Sequence, residues 1–238
     1  MREVALVCAG DKFDVHLHVK QKYLQLQKYL RNFRLTVFTD NTANIDSLGL
    51  PIRSLQLPDW GYSGPRKLWW YKVYMFHPSI SWTGPVLYMD LDTAVVGDLH
   101  KFYDYKPNKF VICQDFNRQF IQDYPVCNSS VIRFNPGKVQ LFQNYDVERT
   151  PSQFRGDQDY ITAQYKEQEH YWWPREWAMS YKWEVQHGGS KQGGMDVKYP
   201  DDYFQPDVPW VIPRDCSIVV WHGKPDTYDT ELGKSLII

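Results

Sequence analysis

The chain has 238 residues, of which 43% are hydrophobic and 23% are charged, and its formal net charge is −1. These values suit a soluble globular domain with a substantial core, and the lack of a basic surplus argues against binding of long nucleic acid. The sequence has no run of about 18 apolar residues, and its start turns polar too early for a secretory signal. We therefore expect no transmembrane segment and a cytoplasmic location, which would be the host cytoplasm if the protein is viral.

The four cysteines show no CxxC spacing and are too few for a disulfide scaffold, which favours a reducing environment. Aromatic residues make up 16% of the chain, more than a core of this size requires. We expect most of them in the core and its rim. The remainder are candidates for lining a binding groove, because aromatic rings stack well on bases and sugars.

The first hundred residues alternate between strand-like and helix-like patterns. In the segment 13–30, for example, Val19, Tyr23, Leu26 and Leu30 recur at helical spacing. The predicted elements in chain order are a strand at 3–10, a helix at 13–30, strands at 34–40 and 51–58, a helix at 63–76 and a strand at 86–89. This order is typical of an α/β sheet with mostly parallel strands.

Beyond residue 100 the alternation becomes less regular. The patterns predict strands at 109–115 and 127–135, a helix at 156–168, and a last strand at 216–225 that contains His222. The segment 170–215 is rich in Trp, Pro and Gly and predicts long loops with short strands. We expect a single domain over 1–238 whose C-terminal half is rich in loops, and long ordered loops often carry function.

Two acids follow directly on the apolar strand that contains Val86 and Met89. Asp90 and Asp92 alternate in extended chain, so both project to one side, with Leu91 turned into packing. Buried carboxylates without a partner are costly, and two of them on one side suit Mg²⁺ or Mn²⁺. The alternative is a solvated turn just past a strand, where acids are common.

Other strands also end in polar residues. Asp11, Asp40 and His222 follow or end three further predicted strands. In open α/β sheets ligands bind outside the carboxyl ends of the strands, so we expect these groups along one edge.

Four stretches of the chain resemble the metal-dependent glycosyltransferases of the GT-A fold, particularly glycosyltransferase family 8 and its relatives. In chain order they are VLYMDLDTAVVGDL (86–99), CNSSVIRFNPG (127–137), RGDQDYI (155–161) and WHGKP (221–225). The resemblance implies a GT-A fold, with a central mixed, mostly parallel sheet flanked by helices. It also implies a nucleotide-binding half at 1–100 and an acceptor and sugar half at 101–238.

The resemblance further implies a metal site and a site for the nucleotide-sugar. Asp90, Asp92 and His222 would bind Mn²⁺ or Mg²⁺, and Lys224 would meet a phosphate oxygen. The ends of the first two strands would hold the base, and Lys67 would lie near the phosphates or the sugar, unless it is an ordinary solvated lysine. The residues expected to bind the nucleotide-sugar and metal are Val7, Cys8, Ala9, Thr39, Asp40, Lys67, Asp90, Leu91, Asp92, Asn128, Ser129, His222, Gly223 and Lys224.

The GDQD stretch corresponds to the place where these enzymes contact the donor sugar near its anomeric carbon. Asp157 and Gln158 are therefore the candidate catalytic residues, and Asp159 is expected to support them or the helix turn. The alternative is that Asp157 only caps the start of a helix, where carboxylates are favoured. Asn128 lies in a formal N-glycosylation sequence, but a polar group facing the sugar is the preferred interpretation.

The chain departs from the family in its final motif. Many members have His-x-x-Gly-x-x-Lys-Pro, whereas Gly223, Lys224 and Pro225 follow His222 directly. This spacing resembles smaller bacterial and viral relatives and leaves the phosphate contacts open. The Gly-rich segment 187–194 is either a flap over the acceptor or a plain loop.

These features predict a transferase that moves a sugar from a nucleotide-diphosphate donor, expected to be UDP-linked, to a hydroxyl group of a glycan or other acceptor. The DQD pattern resembles retaining enzymes. An inverting enzyme would need a carboxylate base, to which Asp157 could be reassigned. The alternatives are a nucleotidyltransferase or phosphohydrolase with the same metal site, and a non-catalytic sugar-binding module.

Overall fold

A seven-stranded mixed sheet forms the centre of the computed structural model, which describes residues 1–165, 170–186 and 210–238. The strands within these described residues are β1 (Arg2–Cys8), β2 (Phe33–Thr39), β3 (Ile52–Gln56), β4 (Val86–Met89), β5 (Thr93–Val95), β6 (Phe110–Gln114), β7 (Cys127–Phe134), β8 (His170–Trp172), β9 (Ala178–Ser180) and β10 (Ile218–Val220). The large sheet has the order β3-β2-β1-β4-β7-β6-β8. Strands β5, β10 and β9 form a second, smaller sheet in that order.

The strand directions confirm the predicted mixed, mostly parallel sheet. Strands β3, β2, β1 and β4 run parallel to one another, and β8 runs parallel to β6. Strand β7 is antiparallel to both of its neighbours, β4 and β6. Because β1, β2 and β4 are parallel, their carboxyl ends meet at one edge of the sheet, where Asp40 and Asp90 follow their strands.

Short helices pack around this sheet. They are α1 (Lys20–Tyr29), α2 (Thr42–Asp46), α3 (Pro65–Leu68), α4 (His100–Asp104), α5 (Thr150–Gln153), α6 (Asp157–Tyr165) and α7 (Glu231–Ser235). The two long helices predicted in the first half are only partly α-helical. A π-helical segment, Val15–Val19, precedes α1, and a 3₁₀ segment, Trp69–Phe76, continues α3.

Both faces of the large sheet are covered by apolar side chains. Alternate residues of β1 point to opposite faces, so Val4 and Leu6 pack with Leu26 of α1, while Ala5 packs in the cluster that contains Trp70. This alternation explains why β1 reads as a continuous apolar run, as expected for a strand buried on both faces.

Aromatic and sulfur-containing side chains fill much of this core. Trp70, Trp173 and Trp221 are among the largest fully buried side chains. All four cysteines are buried and unpaired, and burial raises the pKa of each thiol to about 12. Within the described part of the chain, no helix combines the length and apolar character needed to cross a bilayer.

Glu3, near the start of β1, is a buried carboxylate with strong partners. It accepts hydrogen bonds from Arg34 Nε at 3.0 Å, on the neighbouring strand β2, and from the backbone N–H of Thr83 at 3.0 Å. Burial raises the pKa of Glu3, but the bonds from Arg34 and Thr83 outweigh it, and the pKa lies below its ordinary value.

This shift predicts a pH-dependent contribution to stability. A folded-state pKa below the unfolded value means that the contribution is complete above the unfolded pKa and is lost as the pH falls through the folded pKa. Glu3→Gln should therefore lower the free energy of unfolding by about 2 kcal/mol at neutral pH. That difference should shrink as the pH falls below about 4.3, the ordinary pKa of a glutamate, as measured by urea unfolding. A difference that is constant with pH would contradict this role of Glu3.

Candidate functional site

Two cavities open at the carboxyl ends of β1, β2 and β4. The first, here called the DxD cavity, has a volume of about 480 Å³ and is lined by residues that include Asp90, Asp92, Asn128, Asp157, Gln158 and His222. The second, here called the Asp40 cavity, has a volume of about 940 Å³ and is lined by residues that include Cys8, Asp11, Thr39, Asp40, Asn41 and Tyr62. Lys12, Phe13 and Leu68 line both cavities, so the two adjoin.

The turn that carries the two aspartates is held by backbone bonds to two other strands. The N–H of Asp90 donates to the carbonyl of Ser130 in β7 at 2.9 Å. The carbonyl of Asp92 accepts from the N–H of Trp221, next to β10, at 2.9 Å. Leu91 is 2% exposed and packs in the core, as the alternation predicted. The turn is thereby fixed with both carboxylates towards the cavity.

A buried lysine, Lys22, also holds this turn in place. The Lys22 ammonium donates to the hydroxyl of Thr93 at 2.5 Å and to the Thr93 carbonyl, and the Thr93 hydroxyl donates to the Asp90 carbonyl at 2.7 Å. Burial lowers the pKa of Lys22 to about 7, although Asp92 and Asp90 act in the opposite direction.

A second buried lysine, Lys72, stands between two carboxylates. Its Nζ lies 3.1 Å from Asp90 Oδ1 and 2.8 Å from Asp157 Oδ2, and it donates to Ser129 Oγ at 2.8 Å. The Tyr88 hydroxyl also donates to Asp90 Oδ1. Burial alone would lower the pKa of Lys72, but the two carboxylates outweigh it and raise that pKa. Lys72 is therefore a fixed positive charge in the DxD cavity.

Lys72 was not predicted from the sequence, which pointed to Lys67 instead. Lys67 is exposed on α3 and lines neither cavity, whereas Leu68, Trp69 and Lys72 of the same segment line the DxD cavity. A lysine within the apolar stretch WWYKVYMF was the available signal, because a lysine on a buried face needs a charged partner.

Asp157 and Gln158 begin α6 and both face the DxD cavity. Asp157 Oδ2 accepts from Ser129 Oγ at 2.6 Å as well as from Lys72. Gln158 Oε1 accepts from Asn128 Nδ2 at 3.3 Å. The predicted sugar-contact residues therefore lie together, and the Asp157 carboxylate faces Lys72 and Ser129.

Two further acids near α6 have different surroundings. Asp115 accepts a hydrogen bond from Gln158 Nε2 at 2.7 Å and fixes that carboxamide. Asp115 was not singled out from the sequence, although it ends a predicted strand. Asp159 pairs with the exposed Arg155, four residues earlier, at 2.8 Å, and both residues line the DxD cavity.

Asp92 has a more exposed partner than Asp90. Its Oδ2 lies 3.3 Å from Lys12 Nζ, and the Lys12 side chain is 45% exposed. Burial and the nearby Asp90 raise the pKa of Asp92 to about 6, although Lys12 lowers it.

His222 lines the same cavity after β10. Its ring stacks on Phe116 at 5.1 Å, and its Nε2 lies 2.7 Å from Ser180 Oγ. Burial and the nearby Lys182 lower the pKa of His222 to about 3, so the imidazole is neutral. Gly223 also lines the cavity, with a positive φ of 75°, whereas Lys224 is exposed and lines neither cavity.

The predicted metal ligands line one cavity, but their side chains do not lie close together. Among the described residues, no group of three His, Cys, Asp or Glu side chains is close enough to hold a metal ion. Two carboxylates and a neutral imidazole are nevertheless a donor set that suits Mn²⁺. The residues present fit such an ion if Lys12 leaves Asp92 and Asp90 binds the ion while it stays paired with Lys72.

The Asp40 cavity is lined by three of the residues that were predicted to hold the nucleotide base. Asp40 Oδ2 accepts from the N–H of Gly10 at 2.8 Å, which ties the ends of β1 and β2 together. Cys8, Thr39 and Asp40 line this cavity, whereas Val7 and Ala9 line the DxD cavity. The segment 187–194, discussed above as a flap, lies outside the described residues.

No protein-family model and no curated protein sequence matches the chain, but solved structures do. An active-site glutamine-to-glutamate variant of LgtC matches with a TM-score of 0.67 at 12% identity, over 98% of this chain and 93% of that one. The galactosyltransferase LgtC in complex with donor and acceptor sugar analogs gives a TM-score of 0.64 at 13% identity, over 98% and 93%. The glycosyltransferase GlyE of Streptococcus pneumoniae TIGR4 gives 0.63 at 12%, over 99% of this chain and 60% of that one. At such identities the likeness concerns the fold, and the chain has the GT-A fold of these glycosyltransferases, as the sequence predicted.

Proposed function

We propose that the protein is a metal-dependent glycosyltransferase that moves a sugar from a nucleotide-diphosphate donor, expected to be UDP-linked, to a hydroxyl acceptor with retention of configuration. The observation that carries this proposal is the continuity of the Asp40 cavity with the DxD cavity through Lys12, Phe13 and Leu68. One elongated ligand could occupy both, with its nucleoside near Asp40 and its sugar near Asp157.

The division of the chain into two halves accompanies this proposal. The described residues that line the Asp40 cavity all lie between Cys8 and Leu68, within the proposed nucleotide-binding half at 1–100. The DxD cavity combines residues from that half with Asn128, Asp157 and His222 of the proposed acceptor and sugar half at 101–238.

The charges of the DxD cavity support transfer from a diphosphate. A divalent cation held by Asp90, Asp92 and His222 would supply positive charge where the leaving diphosphate develops negative charge. Lys72 adds a fixed, buried charge to the same cavity and holds Asp157 in place. Such preorganised charge is usually the largest contribution to catalysis of this kind.

The surroundings of Asp157 support retention rather than inversion. An inverting enzyme needs a carboxylate that is free to take a proton from the acceptor. Asp157 is instead paired with Lys72 and accepts a hydrogen bond from Ser129, and Gln158 is a carboxamide with no basic site. LgtC, whose fold this chain shares, has an active-site glutamine, and Gln158 is the glutamine that lines the DxD cavity among the described residues.

The alternatives have less support. A two-metal phosphohydrolase or nucleotidyltransferase needs more acids around its metals than Asp90 and Asp92 with one histidine. Two further acids line the DxD cavity, but Asp157 is paired with Lys72 and Asp159 with Arg155. A sugar-binding module has no need of the buried cluster of Lys72, Asp90 and Asp157.

Donor hydrolysis tests the proposal without an acceptor. The protein is incubated with a panel of nucleotide-sugars, and release of free nucleotide is followed with Mn²⁺, with Mg²⁺ and after exhaustive EDTA treatment. We expect release from a UDP-sugar with Mn²⁺ at least as effective as Mg²⁺, because the ligand set includes an imidazole. Full activity after EDTA treatment would contradict the metal site. Metal-independent binding of free glycan, without nucleotide binding, would favour the sugar-binding module.

A further inference from the structure

Lys12 occupies an unusual position between the two cavities. It follows β1 by four residues, and it lines both the DxD cavity and the Asp40 cavity. Its Nζ lies 3.3 Å from Asp92 Oδ2 and 4.2 Å from the centre of the Phe13 ring. With a side chain that is 45% exposed, its ammonium can reach a ligand that spans both cavities.

The charges around Asp92 explain why a lysine is stable there. Asp90 and Asp226 both raise the pKa of Asp92 because they carry the same sign of charge, and the Lys12 ammonium acts in the opposite direction. Asp90 differs, because its partner Lys72 is buried and is also bound to Asp157. Of these two lysines, Lys12 is therefore the one that can leave its carboxylate at little cost.

A divalent cation that binds Asp92 would compete with the Lys12 ammonium for the same carboxylate. If the cation displaces the ammonium, the flexible side chain of Lys12 lies where the two cavities join. In an elongated nucleotide-sugar that joint corresponds to the diphosphate, which lies between the nucleoside and the sugar. An ammonium is a compact donor that suits a phosphate oxygen.

Resting on the proposed function, we propose that Lys12 is a diphosphate-binding residue that competes with the divalent cation for Asp92. Lys12 opposes binding of the cation alone and favours binding of the nucleoside diphosphate. The two effects have opposite signs, and that distinguishes this role from its alternatives. An incidental exposed ion pair would contribute little to either affinity. A residue that only holds Asp92 in position would favour binding of the cation and binding of the nucleoside diphosphate alike.

Calorimetry on the full chain tests the proposal with three variants. Lys12→Gln removes the charge at nearly constant size, and Lys12→Arg restores a charge. Lys20→Gln is the matched control, because it changes the net charge by the same amount. Lys20 is exposed and lines neither cavity. The titrants are MnCl₂ alone, and then UDP and uridine, each in saturating MnCl₂, so that the cation has displaced Lys12 from Asp92.

For Lys12→Gln we expect the Kd of Mn²⁺ to fall by about threefold or more, because a competing cation is removed. The Kd of UDP should rise by about tenfold, because a charge-assisted hydrogen bond is lost, while that of uridine should change by less than about twofold. Lys12→Arg should lie close to the wild type for UDP, and Lys20→Gln should match it in every titration.

Other outcomes overturn the proposal. Changes below about twofold in both Kd values would reduce Lys12 to an incidental ion pair. Weaker binding of both Mn²⁺ and UDP would assign it to the support of Asp92, and an equal loss for uridine would assign it to the nucleoside. If the wild-type protein binds neither Mn²⁺ nor UDP, the proposed function itself fails, a result that is distinct from all of these.

Discussion

Asp92→Asn should reduce metal-dependent donor turnover by about 10³-fold or more while the protein remains folded. The carboxamide keeps the shape of the side chain but loses the charge that would hold the cation. A bound cation contributes several kcal/mol to such reactions, and each ~1.4 kcal/mol is a factor of ten in rate. The fold should tolerate the change because the ion-pair partner of Asp92, Lys12, is half-exposed and worth little to stability. Nucleotide release with Mn²⁺, Mn²⁺ affinity and melting temperature are the measurements.

Two further aspartates serve as comparisons for this result. Asp98→Asn changes an exposed residue of the same segment that pairs with His100, and it should leave turnover unchanged. Asp90→Asn should lose turnover and also melt at a lower temperature, because Asp90 accepts from Tyr88 and pairs with the buried Lys72. Wild-type rates for Asp92→Asn would remove Asp92 from the metal site.

The positions of the site residues could be predicted where they depend on local pattern and on the direction of parallel strands. The alternation of Asp90, Leu91 and Asp92 predicted a packed leucine between two carboxylates, and in the structure Leu91 is 2% exposed and packs in the core. All three residues line the DxD cavity. The strand ends at Cys8 and Thr39 lie at the same edge for the same reason. Such features need only the two-residue period of a strand and the rule that ligands bind at the carboxyl ends.

The choice between Lys67 and Lys72 could not be predicted in the same way. The sequence was read with a period of 3.6 residues, but Trp69–Phe76 is a 3₁₀ segment, which turns side chains by a different angle per residue. Nearly all of that segment is buried, so periodicity gave little information about which face Lys72 occupies. The partner of Lys72, Asp157, lies far along the chain. Local sequence patterns do not predict such a pair, because it forms only in the tertiary structure.

The pairing of the smaller sheet was also beyond a sequence-based prediction. Strand β10 lies within the strand predicted at 216–225, but β5, β9 and β10 have three residues each, too few to display a period. Their pairing matters for the site because β10 precedes His222 and Ser180 ends β9, and His222 Nε2 lies 2.7 Å from the hydroxyl of that serine. The sequence therefore indicated His222 as a candidate without indicating what orients it.

Asp157→Asn should lower donor turnover by roughly 10²-fold, because a charged contact near the reacting centre is lost. The Kd of UDP should stay within about twofold, since the proposed nucleoside and diphosphate contacts lie elsewhere. Stability should fall by about 1–2 kcal/mol, because Asn keeps a hydrogen bond to Ser129 and Lys72 keeps Asp90. Glu148→Gln, which removes one negative charge from an exposed residue that lines neither cavity, is the control and should leave all three quantities near wild type. If Asp157→Asn retains normal kcat and loses only stability, Asp157 is a structural partner of Lys72, and the proposed assignment to a retaining mechanism loses its main support.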